Sequence, residues 1–140
     1  MKRDDIIFEA RKYVEHGTPW RHRGRTITGV DCIGLICGVG DAFGIPYEDI
    51  DGYSRNPDGR FVEHLLKFMP LRVPQTLKKG CAVVLREAHQ PCHIGIISER
   101  YGRPYLIHSS LQKRKVVEEE WDGYWKSRFR CAVDFPGVED

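Results

Sequence analysis

Apolar residues follow two different periods along this chain, and the change comes near residue 80. Over residues 4–15, Ile6, Ile7, Ala10 and Val14 recur every three or four positions, the stripe of an amphipathic helix, and Gly17 supplies its stop. In residues 30–43, VDCIGLICGVGDAF, the residues Ile36, Val39 and Phe43 repeat the helical spacing. Asp31 stands there as an N-cap, able to accept a free N–H of the first turn. Phe61, Leu65 and Phe68 mark a third helix that Pro70 ends. Residues 18–29 read as a loop and residues 44–59 as turn-rich. Beyond Gly80 the pattern becomes that of strands, at 81–86 (CAVVLR), 93–98 (HIGIIS), 105–109 (YLIHS), 113–117 and 130–135 (RCAVDF). Tyr101-Gly102 makes a turn, and residues 118–126, with Trp121 and Trp125 four apart, read as a helical turn. Helices first and strands after, with hairpin-length links, predict an α+β fold. Its N-terminal helices pack on an antiparallel sheet, rather than alternating with parallel strands.

Gly34, Gly38 and Gly40 interrupt the central helix, each costing about 1 kcal/mol against alanine. A sheet packed closely against the glycine face is the expected compensation. The 140 residues are enough for one domain, spanning 1–140, with a real core. A net charge of +2 is too small to argue for nucleic acid, and no apolar run has the length to span a membrane. The first residues carry charges throughout and resemble no signal peptide, so synthesis in the cytoplasm is expected. Five cysteines without a secretion signal are expected as reduced thiols. They form no Cys-x-x-Cys pair, which argues against zinc.

The candidate chemistry begins at Cys32. It follows an N-capping aspartate, at the positive end of a helix, where a thiol is expected to shift toward the nucleophilic thiolate. A buried structural cysteine would fit the same position. His93 is the best candidate base. Alternation puts His93, Gly95 and Ile97 on one face of a strand and Cys92, Ile94 and Ile96 on the other, with Gly95 leaving room beside the imidazole. His108, on the next strand, can reach the far ring nitrogen of His93, which completes the nucleophile–base–orienting-group logic of a thiol hydrolase. His16, His22 and His89 compete as bases from loops or a helix end, and His64 reads as a surface residue. Trp20 is either a core anchor or one wall of a cleft. Arg21, His22, Arg23 and Arg25 form either a solvated basic loop or a contact for an acidic substrate or partner.

These residues resemble the NlpC-type family of cysteine peptidases, in particular its phage-encoded branch. The nucleophile motif is Asp31-Cys32-Ile33-Gly34-Leu35, the base motif His93-Ile94-Gly95-Ile96, and the third motif Ile107-His108-Ser109. Gly17-Thr18-Pro19-Trp20 precedes them, and the Trp125 segment and residues 129–136 resemble the phage branch. Trp20 stands where the family often has a tyrosine, Ile33 where it has a serine, and Cys81 where it has an aspartate after glycine. The resemblance implies a papain-like α+β fold with Cys32, His93 and His108 as catalytic residues and Trp20 and Asp31 at the substrate. The backbone N–H of Cys32 would be an oxyanion donor, and no cofactor or metal is called for. The implied reaction is cleavage of peptidoglycan stem peptides, commonly at the D-γ-glutamyl–diaminopimelate bond. The implied partners are phage tail proteins, and the implied location is a virion or tail that delivers the chain to the cell wall. A catalytically silent tail-assembly module and a thiol amidase or acyltransferase acting on another amide remain open alternatives.

Overall fold

The computed structural model describes residues 1–46, 59–87 and 90–140; most of the turn-rich segment at 44–59, and His89, lie outside them. Helix α1 is Arg3–His16, with Ile6, Ile7 and Ala10 buried on one face. Its end is set by Gly17 at φ +69, beyond which the N–H groups of Gly17 and Thr18 return to the carbonyls of Val14 and Tyr13, both at 3.0 Å. The loop that follows is more ordered than its composition suggests. It contains a two-stranded hairpin, β1 (Arg25–Thr26) with β2 (Gly29–Val30), which leads directly into α2 (Cys32–Asp41). Helix α3 is Gly59–Leu65, continued by turns up to Pro70.

The second half of the chain is a five-stranded sheet of β3 (Ala82–Glu87), β4 (Gln90–Arg100), β5 (Arg103–Ser110), β6 (Lys115–Glu120) and β7 (Phe129–Val133). Its order is β6-β5-β4-β3-β7, with antiparallel neighbours throughout. Tyr101 (φ +56) and Gly102 (φ +72) make the tight β4–β5 turn. The fold is therefore α+β with helices on an antiparallel sheet, as the hydrophobic periods predict. One expectation fails in detail. Residues 118–120 continue β6, because Glu120 pairs with Tyr105 and Glu118 with Ile107. The helical turn begins later, as α4 (Gly123–Lys126), where Asp122 Oδ1 caps the N–H of Tyr124 at 3.0 Å.

The sheet has two apolar faces. One carries Ala82, Val84, Ile94, Ile96, Ile107 and Val133 against the buried faces of α1 and α2. The other carries Val83, Leu85, Ile97, Leu106 and Ala132 beneath Trp121 and Trp125. The glycines of α2 serve a different neighbour from the one expected. A Cβ on Gly34 would collide with the carbonyl oxygen of Gly24 in the preceding loop, and one on Gly38 with the hydroxyl of Tyr13 on α1. A Cβ on Gly40 would make only ordinary contact, 3.8 Å from Ile45. The close approaches are thus to loop and helix, not to the sheet. Among the described residues no helix is long and apolar enough to cross a membrane.

Candidate active site

Asp31 fixes the start of α2. Its Oδ1 accepts the N–H of Gly34 at 2.8 Å, its Oδ2 accepts the N–H of Arg23 at 2.8 Å, and Arg25 Nη1 lies 3.3 Å from Oδ1. The carboxylate is buried, so it ties the basic loop to the helix. Two arginines of that loop are therefore turned toward Asp31, by backbone in one case and by side chain in the other. Trp20 N–H bonds to Arg114 O at 2.9 Å, its backbone runs parallel to Val30, and its ring stacks on His22. Its indole Nε1 is buried without a hydrogen-bond partner among the described residues.

The sheet opens where α2 begins. Among the described residues the β4–β5 ladder runs from Arg100↔Arg103 to Ile96↔Ile107, while the earlier part of β4 stays paired with β3. The lead into α2 occupies the opening. Ser109 Oγ of β5 donates to the carbonyl of Val30 at 2.7 Å, and the sulfur of Cys32 lies against the backbone N–H of Ile94 on β4. That contact sets the thiol beside the residue that follows His93. The helix start thus lies against the strand that carries the imidazole of His93 on its opposite face.

His93 and His108 meet on that face. His93 Nε2 and His108 Nδ1 are 2.8 Å apart, with ring planes at 82°. Gly95 makes the meeting possible, since a Cβ there would stand 3.1 Å from His108 Cβ and 2.6 Å from Leu106 Cδ1. Trp125 closes over both rings, its centroid 4.9 Å from that of His108 and 6.3 Å from that of His93. The row continues beyond the residues marked by the sequence motifs. His108 Nε2 is 2.7 Å from Glu119 Oε1, and Lys113 Nζ donates to Glu119 Oε2 at 2.6 Å. The other nitrogen of His93, Nδ1, is buried and has no hydrogen-bond partner among the described residues. A pocket of about 290 Å³ opens beside this row, lined among others by Glu87, Lys113, Asp122 and Tyr124 as well as both histidines. Cys32, Trp20 and Asp31 do not line it. Among the described residues no group of three or more His, Cys, Asp or Glu is placed to hold a metal ion.

The electrostatics correct one expectation. Burial first, and the adjacent Asp31 carboxylate second, push the Cys32 thiol well above its ordinary value, although the N–H groups of Ile94, Ile33 and Cys32 pull the other way. The helix N-terminus is there, but desolvation outweighs it, because the residue is only 1% exposed. Burial, then His108, hold His93 well below 6.5. The resting pair is therefore a neutral thiol and a neutral imidazole. Glu119 lies at about 2, held down first by the hydrogen bond from His108. It follows that Cys32 should be alkylated by iodoacetamide near neutral pH more slowly than the half-buried Cys37 and Cys131, with a rate that climbs through the alkaline range. Peptide mapping after brief labelling measures this, and preferential labelling of Cys32 at neutral pH would contradict the neutral resting pair.

At the level of sequence, no family model and no curated protein matches the chain. Solved structures do resemble it. The NlpC/p60 domain of the peptidoglycan hydrolase SagA superposes with a TM-score of 0.64 at 21% identity, covering 96% of this chain and 100% of that one. An N-acetylmuramoyl-L-alanine amidase from Bacteroides uniformis superposes with a TM-score of 0.55 at 13% identity, covering 94% of this chain and 96% of that one. With the helices on an antiparallel sheet and this likeness over almost the full length, the chain has the fold of the NlpC/p60 domain.

Proposed function

We propose that the protein is a cysteine hydrolase of peptidoglycan stem peptides. The observation that carries this reading is the unpartnered, buried Nδ1 of His93, with the His108–Glu119 row on its other nitrogen and the Cys32 sulfur at the neighbouring backbone N–H. A buried polar atom left without a partner calls for a functional explanation. Accepting a thiol proton from Cys32 is the role we assign to it. In the reaction, Cys32 Sγ attacks the amide carbonyl carbon while its proton passes to His93 Nδ1. The oxyanion that forms is met by the backbone N–H of Cys32 at the start of α2. The C–N bond then breaks as His93 returns the proton to the leaving amine, giving a thioester. Water, deprotonated by the same nitrogen, attacks the thioester and releases the acid and the free thiol.

The substrate class is supported by the names of the two similar structures, a peptidoglycan hydrolase and a muramoyl-alanine amidase. Within it, the family resemblance that Asp31-Cys32-Ile33-Gly34-Leu35 helps carry favours the D-γ-glutamyl–diaminopimelate bond, and the resemblance to the phage branch favours delivery by a tail. One observation favours the silent-module reading: Cys32 is almost fully buried, so substrate binding has to displace what covers the sulfur. Digestion of defined muropeptides by the reduced protein, with fragments identified by mass spectrometry, decides between the two. New termini at the γ-glutamyl bond are expected. Intact muropeptides with a folded, reduced protein would remove the hydrolase reading.

A further inference from the structure

Three adjacent strands contribute one member each to the row that starts at His93: His93 from β4, His108 from β5 and Glu119 from β6. Glu119 pairs with Leu106, two residues from His108, so alternation places the glutamate on the same face as the two imidazoles. In the run from Glu118 to Glu120, the side chain of Glu118 is 4% exposed on the other face against Arg11 and Ser98, while that of Glu119 is part-buried, 27% exposed, on the face of the imidazoles. Lys113 holds it from the far side.

The proton positions along this row follow from what each group can do. Glu119 is ionised at neutral pH, and an ionised carboxylate only accepts hydrogen bonds. His108 Nε2 must therefore carry a proton and donate to Oε1 across 2.7 Å. In the neutral ring, His108 Nδ1 is then a bare acceptor. The 2.8 Å contact between the rings requires His93 Nε2 to be the donor. With its proton on Nε2, neutral His93 has its lone pair on Nδ1, the buried atom that no hydrogen bond satisfies.

We infer that Glu119, braced by Lys113, is a positioning residue that dictates through His108 which nitrogen of His93 carries the proton. It keeps the lone pair on the nitrogen left free for the nucleophile. The inference rests on the reading of His93 as the base for Cys32. It adds a carboxylate that touches neither the sulfur nor the scissile bond. Without the carboxylate, both tautomers of the pair of rings become available, and one of them has a proton blocking Nδ1.

Glu119→Gln separates charge and proton direction from shape. Lys113 donates only, so it draws the amide oxygen and turns the amide NH₂ toward His108 Nε2, which must then accept. The proton of His108 moves to Nδ1, His93 Nε2 becomes the acceptor, and the proton of His93 moves to Nδ1. The expected result is a fall in kcat of about 10²-fold with KM nearly unchanged, the scale of a lost general base. Nitrogen-15 spectra of the imidazoles should show His93 switching from the Nε2–H to the Nδ1–H form. The double variant K113M/E119Q releases the amide to turn its oxygen to His108. It should restore the Nε2–H form and most of kcat. A folded E119Q protein with unchanged kcat and His93 still protonated on Nε2 would overturn the inference. So would a wild-type spectrum with His93 protonated on Nδ1, which decides the matter even if E119Q fails to fold. The spectra need no substrate, so absence of muropeptide cleavage with the wild-type tautomer as assigned would sink the hydrolase reading and leave the role of Glu119 standing.

Discussion

Cys32→Ala is expected to lose stem-peptide hydrolysis completely, with a fall in kcat toward about 10⁶-fold, the scale seen when a nucleophile is removed from a preorganised site. The protein should still fold. The sulfur is buried among apolar neighbours, and its removal costs about 1 kcal/mol, as for a lost methylene. His93→Ala should lose roughly 10²–10⁴-fold, since the proton then has no acceptor at the sulfur. His108→Asn should lose less, because the asparagine oxygen can still accept the His93 Nε2 proton and hold the ring. Cys37→Ala is the matched control. It lies on the same helix, half-buried and packed at the edge of the core, and should keep wild-type rates. Release of muropeptide fragments by each purified variant measures the order. Activity surviving in Cys32→Ala would remove the nucleophile assignment, and equal wild-type rates in both histidine variants would remove the site.

How far this site could be read in the sequence depended on whether the cause was local. Asp31 as a cap and Gly17 as a stop are short-range chemistry, and both are found in place. The alternation that separates His93 from Ile94 is a property of the strand itself, and the two apolar faces of the sheet reproduce it. Glu119 was hidden. In the run from Glu118 to Glu120 it looks like part of a solvated face, and only the pairing of Leu106 with Glu119 turns it toward His108. The same register explains why residues 118–120 are strand and not helix. Trp125 carried a helical spacing with Trp121, but its contact with both imidazoles comes from α4 folding over the sheet, which no local pattern encodes. The state of Cys32 is not legible in the sequence for a related reason. The helix end is visible in the sequence, whereas the burial that outweighs it is a tertiary fact.

Gly34→Ala is expected to destabilise the protein by about 1–3 kcal/mol or more, the cost of overpacking a filled interior, and to lower Tm by roughly 5–10 °C. The added methyl would overlap the carbonyl oxygen of Gly24 and stand 3.2 Å from Val30 Cβ. The first obstacle is backbone and cannot swing aside. Nor can the loop retreat freely, since a Cβ on Gly24 would itself collide with the carbonyl of Gly29. Three glycines therefore let loop, hairpin and helix approach in a stack whose last member lies two residues beyond Cys32. The N–H of Gly34 is also the one that Asp31 Oδ1 caps, so a shift here moves the helix start and the sulfur with it. Gly40→Ala tests whether the effect is steric. It sits in the same helix, its new Cβ would meet only Ile45 at 3.8 Å, and the gain in helix propensity should stabilise the protein by up to about 1 kcal/mol. Thermal unfolding of the two variants side by side should move Tm in opposite directions, and the Gly34→Ala protein should also lose hydrolysis because the sulfur of Cys32 shifts with the helix start. A Gly34→Ala protein as stable as Gly40→Ala would mean that the loop yields to the helix, and that the position of Cys32 is not set by this contact.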